Sequence, residues 1–175
     1  PFKDGNGRIG RILIPLFLYQ KRALSQPMFY LSEYLENHRE GYYQRLKAIS
    51  ADGDWNGWLV FFLQAIAIQA TQNSERVTAI QALYEEMKLA IQAATRSQYT
   101  VHVLDAIFNK PIFRSSDLAQ QLFREFGIHE KTGQGLLRQM RDTGILRELR
   151  PGSGRRPSTL CFPRLINLAE GRTVI

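Results

Sequence analysis

For most of the chain the apolar positions recur at helical rather than strand spacing. Ile9, Ile12, Leu13, Leu16 and Phe17 repeat every three or four residues, which predicts a helix running from the Gly-rich opening to about Arg22. Its opposite side is also largely apolar, so it is expected to sit centrally, with a kink at Pro15 where the bond to the Arg11 carbonyl is lost. Ser25-Gln26-Pro27 closes this unit and Met28 to Leu31 is a short apolar lead-in. Ser32 is placed to cap a helix carrying Tyr34 and Leu35, and Gly41 is expected to interrupt the pattern before an amphipathic stretch from Tyr42 to Ile49. Ala51-Asp52-Gly53-Asp54 reads as a turn with Asp54 as cap of the next helix. Trp55, Trp58, Leu59, Phe62, Leu63 and Ile66 are expected to form a broad buried stripe. After Asn73-Ser74 the apolar residues Val77, Ile80, Tyr84, Met87 and Ile91 alternate at three and four. That spacing predicts a long helix packed on one neighbour, either its own chain or a second copy in a homodimer.

The rhythm changes after Arg96-Ser97-Gln98. Val101 to Phe108 predicts a helix, Pro111-Ile112-Phe113 an extended piece, and Ser115 or Ser116 a cap for a helix from Asp117 to Phe126. Gly127-Ile128-His129 is a turn. Lys131 to Thr143 predicts a third helix, which Gly144 stops. Ile145 to Leu149 and Ser158 to Phe162 then read as a hairpin around the basic tip Arg150 to Pro157. Helix, helix, turn, helix, hairpin resembles a winged helix-turn-helix domain. The expected organisation is therefore mainly α, with one domain over residues 1–96 and another over 97–175.

Composition narrows the class. With 175 residues and 44% of them apolar, the chain is long enough for one or two real cores and is not of the disordered type. Its longest apolar run, Trp58 to Ile68, is broken by Gln64 and too short to span a bilayer. The single Cys161 excludes an internal disulfide and is expected as a small apolar strand residue, in keeping with a reducing cytoplasm. The net charge of +7 is uneven: residues 97–175 carry 12 Lys/Arg against 7 Asp/Glu, residues 1–96 carry 11 against 9. The excess falls on the third helix and hairpin, at Lys131, Arg138, Arg141, Arg147, Arg150, Arg155 and Arg156.

The chemistry gathers at the start. In Asp4-Gly5-Asn6-Gly7-Arg8-Ile9-Gly10-Arg11 two glycines flank an asparagine where a helix begins. Backbone N–H groups are free to point outward there, into the positive end of the helix dipole. Arg8 and Arg11 share a helical face and reach phosphate oxygens together, while Asp4 sits where a hard cation bridges to them. A Gly/Asn turn with solvated charges is the alternative reading. The density of an acid, a glycine-rich turn and two arginines within eight residues favours a metal–polyphosphate site.

At these residues the chain resembles the Fic family, whose signature is His-x-Phe-x-(Asp/Glu)-Gly-Asn-Gly-Arg-x-x-Arg. Phe2, Asp4, Gly5, Asn6, Gly7, Arg8 and Arg11 match every position after the histidine. The resemblance implies a Fic-type helical bundle and an enzyme that transfers AMP from ATP to a hydroxyl side chain of a target protein. It implies that Asp4 holds Mg2+, that Gly5, Asn6 and Gly7 cradle the phosphates, that Arg8 and Arg11 neutralise the triphosphate, and that Phe2 anchors the loop in the core. The signature histidine would stand just before Pro1, so the parent is expected to be active and this chain alone close to inactive. A positioned base contributes roughly 100- to 10,000-fold to such a transfer. His38, His102 and His129 read as helix-surface or capping residues rather than substitutes. Fic relatives also remove AMP, move other phosphate groups or act as kinases, and the two signature arginines favour AMP transfer.

The resemblance further offers Asn37 and Tyr42 as adenosine contacts, the plainer reading being that Tyr42 and Tyr43 cover the core. Ser32-x-x-x-Glu36-Asn37 fits the family's autoinhibitory pattern, in which a glutamate pairs with the second signature arginine, although the inhibitory helix is expected upstream of this chain. In the second domain Lys131, Thr132, Gln134, Arg138, Arg141, Arg155 and Arg156 carry side chains suited to base edges and phosphates of double-stranded DNA. A solvated face used for protein contacts is the competing reading. A second function class follows: a DNA-binding transcriptional regulator whose Fic-like site senses a nucleotide.

Overall fold

The computed structural model describes residues 3–26, 29, 31–154 and 156–175, and in them the chain is mainly α-helical with one small antiparallel sheet. The readings made for Phe2, Pro27, Met28 and Arg155 lie outside the described residues. Two compact units divide between Glu75 and Arg76.

In the first unit, helix α1 (Asn6–Gln20) starts from Gly5, whose φ of +83° is open to glycine at little cost, and it carries Pro15 inside. Its expected central position is not what the structure shows. Ile12, Leu13, Leu16 and Phe17 are all exposed and none of its residues is fully buried, while Ile14 packs partly on the core. The periodicity identified an apolar face but not a partner for it. Helix α2 (Ser32–Asn37) begins after Leu31, with Ser32 inside the helix and no side-chain cap of its own. Helix α3 (Arg39–Asp52) runs straight through Gly41, and the break falls instead at His38, which ends α2.

Helix α4 (Trp55–Thr95) is continuous, with no interruption at Asn73-Ser74. Its start is the expected one: Gly53 turns the chain at φ +69° and Asp54 Oδ1 accepts the Gly57 N–H at 2.8 Å. The broad stripe narrows to Trp58, Phe61, Phe62, Ala65 and Ile66. Trp55, Leu59 and Leu63 are exposed, because the neighbours of α4 here cover one side of it. Leu31, Tyr34, Leu35 and Ala65 are the buried centre of this unit.

The second unit takes Leu83, Met87 and Ile91 of α4 into its core, so the two compact units divide inside the long helix. Helix α5 (Thr100–Asn109), strand β1 (Ile112–Arg114), helix α6 (Ser115–Phe126) and helix α7 (Glu130–Asp142) follow, then strands β2 (Arg147–Arg150) and β3 (Thr159–Cys161) and helix α8 (Pro163–Glu170). Sheet order is β1-β3-β2, both pairs antiparallel, with Phe113 opposite Leu160 and Arg147 opposite Cys161. Ser115 does not cap α6: its N–H donates to the Ser158 carbonyl and its Oγ accepts from the Ser158 hydroxyl, tying the helix to the hairpin. Gly144, at φ +78°, ends α7 as expected. Cys161 is fully buried in β3. Helices α6 and α7 cross closely at Gly133, where an added Cβ would lie 3.4 Å from the Ala119 Cα. Arg164 of α8 donates to both oxygens of Glu86 on α4 at 2.7 Å.

Candidate functional site

The opening loop is organised by Asp4 and Gly5. Asp4 Oδ1 accepts the Gly5 N–H, its Oδ2 lies 3.8 Å from Arg8, and the Ile9 N–H returns to the Gly5 carbonyl to close the first turn of α1. The N–H groups of Gly7 and Arg8 therefore lie in the first turn of α1. Arg11 donates its Nε to the Gly7 carbonyl at 3.2 Å. An added Cβ at Gly7 or Gly10 would meet nothing within 4 Å, so the packing of this chain does not itself require glycine there.

Arg8 and Arg11 line a cavity of about 610 Å³ together with Ile12, Pro15 and Leu16 of α1, Phe29, Leu31, and Ser32 and Glu36 of α2. Successive turns of α1 carry the wall from guanidinium groups to apolar side chains. Arg8 to Leu16 covers about 12 Å at the helical rise. Glu36 faces this space but its ion pair, at 3.8 Å, is with Arg39. Asn37 ends α2 and is exposed outside the cavity wall. Tyr42 packs on the core, its ring 5.6 Å from Trp58 and 5.5 Å from Tyr43.

Asp4 is a single, almost fully exposed carboxylate. Among the described residues no group of three His, Cys, Asp or Glu side chains gathers. One carboxylate suits magnesium that completes its shell with phosphate oxygens and water, and it does not suit an all-protein cage.

The three histidines have structural surroundings. His38 Nδ1 lies 2.9 Å from the Tyr34 carbonyl and its ring stacks on Tyr34. His102 stacks on Phe126, and His129 caps α7 by accepting the Lys131 N–H.

In the second unit, helix α7 divides cleanly. Gly133, Leu136, Leu137 and Met140 are buried, while Lys131, Thr132, Gln134, Arg138 and Arg141 are exposed. Gln134, Arg138 and Arg141 line a polar recess of about 250 Å³ with Ser115, Ser116, Pro157 and Ser158. Arg141 also donates to Asp142 at 2.9 Å, which offsets part of its charge. Arg147 and Arg150 on β2 and Arg156 in the hairpin are exposed. Sequence reasoning singled out the arginines of this recess but not its serines, which come from the α6 start and the hairpin, 43 residues apart. No protein-family model matches the chain. No helix among the described residues is long and apolar enough to cross a membrane.

Proposed function

We propose that this chain is the nucleotide-binding part of a Fic-type protein adenylyltransferase, which moves AMP from ATP to a hydroxyl of a target protein. The observation that carries the reading is the shared cavity: two arginines one turn apart, at the glycine-rich head of a helix, open onto one space that turns apolar away from them. Polyphosphate would meet the guanidinium groups and the first-turn amide of Gly7, and the nucleoside would lie toward Ile12 and Leu16. Asp4 would hold magnesium, which when bound neutralises phosphate charge. Nucleotide binding is the property that tests this reading most simply. Titration calorimetry with ATP and magnesium should give saturable binding, weakened at least tenfold by Arg11→Ala and by Asp4→Ala. Equal affinity in all three proteins would refute the reading.

A second reading rests on the recess between α7 and the hairpin: a winged helix-turn-helix domain that binds double-stranded DNA, making the protein a DNA-binding regulator with a nucleotide-sensing site. Gln134 and Arg138 would face base edges or phosphates from α7, and Arg150 and Arg156 would reach the backbone from the wing. Anisotropy of a labelled duplex tests this. Binding that weakens with salt and loses affinity on Arg138→Ala supports it, and no binding at low salt rejects it.

A further inference from the structure

We propose that Gln69 is a positioning residue for the cavity, fixing the α2 wall against which the nucleoside end of a nucleotide rests; this builds on the nucleotide reading above. Helix α2 has six residues and no side-chain cap of its own. A helix that short does not hold its place by propensity and needs tertiary ties. Gln69 supplies one from 35 residues away: its Oε1 accepts the Tyr34 N–H at 3.1 Å, in the first turn of α2. The amide is oriented by donation from Nε2 to Asn73 Oδ1 at 3.0 Å and to Glu33 Oε2 at 3.4 Å. Gln69 is completely buried, where an amide is costly unless its hydrogen bonds are made. Ser32 and Glu36, on the helix thus pinned, line the cavity with Arg8 and Arg11. Arg8 and Arg11, which would meet the polyphosphate, belong to α1, whereas Ser32 and Glu36 in the same lining belong to α2. Gln69 therefore acts on the nucleoside part of a ligand and not on its phosphates.

The two ends can be separated with two probes on the 175-residue chain, ATP with magnesium and inorganic tripolyphosphate with magnesium. Gln69→Met, which keeps size and removes the hydrogen bonds, is expected to weaken ATP about tenfold while tripolyphosphate stays within about twofold, a loss of roughly 1.4 kcal/mol confined to one probe. Asn73→Ala, at a half-buried position, loosens the amide without stripping the Tyr34 N–H of its acceptor. It is expected to move ATP affinity in the same direction by about threefold, and it carries the test if Gln69→Met fails to fold. A parallel loss for both probes, or unchanged ATP affinity in a folded variant, overturns the proposal. If the unaltered chain binds neither probe, the nucleotide reading itself fails and this proposal goes with it.

Discussion

Tyr84 donates its phenolic O–H to Asp105 Oδ1 at 2.6 Å, and this bond, then burial and nearby carboxylate charge, pushes the phenol up to about 12. An unfolded tyrosine ionises near 10. The folded chain thus holds the proton more tightly, and the stability this contributes is complete below pH 10 and is lost as pH rises from there through about 12. Urea midpoints measured across that window are expected to fall steeply for the unaltered chain and less so for Tyr84→Phe. The same slope in both would show that the pair does not link to folding. Glu86 behaves oppositely. Its fork of hydrogen bonds from Arg164 lowers its pKa, so its contribution is present above the ordinary carboxylate range and is lost as pH falls through the lowered value. Exposed at the surface, that pair contributes little at neutral pH. Gly133 is different in kind, since it is needed for the close crossing on Ala119. Gly133→Leu is expected to cost about 1–3 kcal/mol by overpacking and to lower the melting temperature of the second unit by several degrees. An unchanged melting temperature would contradict the crossing geometry.

Among the elements, α4 depends on its start. Removing the Asp54 bond to the Gly57 N–H by Asp54→Ala is expected to cost about 1 kcal/mol, visible as fraying of the first turn of α4 in hydrogen exchange. Such caps are legible in sequence because their partners lie within one turn, as are Gly144 after α7 and the buried and exposed sides of α7 itself. What the sequence hid depends on distant partners. Helix α4 continues past Asn73, a residue that composition alone reads as a break; its side chain accepts from Gln69 one turn back. The tie between Gln69 and α2 joins residues 35 apart and leaves no local pattern. At the site, the three-residue spacing of Arg8 and Arg11 was enough to place them on one wall. Spacing did not reveal that Glu36 would pair with Arg39 while facing the same cavity, nor that Tyr42 would turn to Trp58. Helical periodicity told which face of α1 is apolar, and only the packing told that this face is exposed.

At the scale of the whole chain, the two units have unequal cores. The core cluster of the first has four buried residues, Tyr34 among them, whereas that of the second has eighteen, from Leu83 to Leu165, among those described. Burial on that scale sets local opening, so amides of α5, α6 and α7 are expected to exchange far more slowly than those of α1, which buries no residue fully. The candidate nucleotide site thus sits on a helix with no fully buried residue, where a bound ligand has much to stabilise. Hydrogen exchange of residues 5–11 with and without ATP and magnesium is therefore the most direct test of the central claim. Slower exchange confined to that segment and the α2 wall, and absent in Arg11→Ala, is the expected result. Protection that appears only in the second unit, or none at saturating nucleotide, would contradict it.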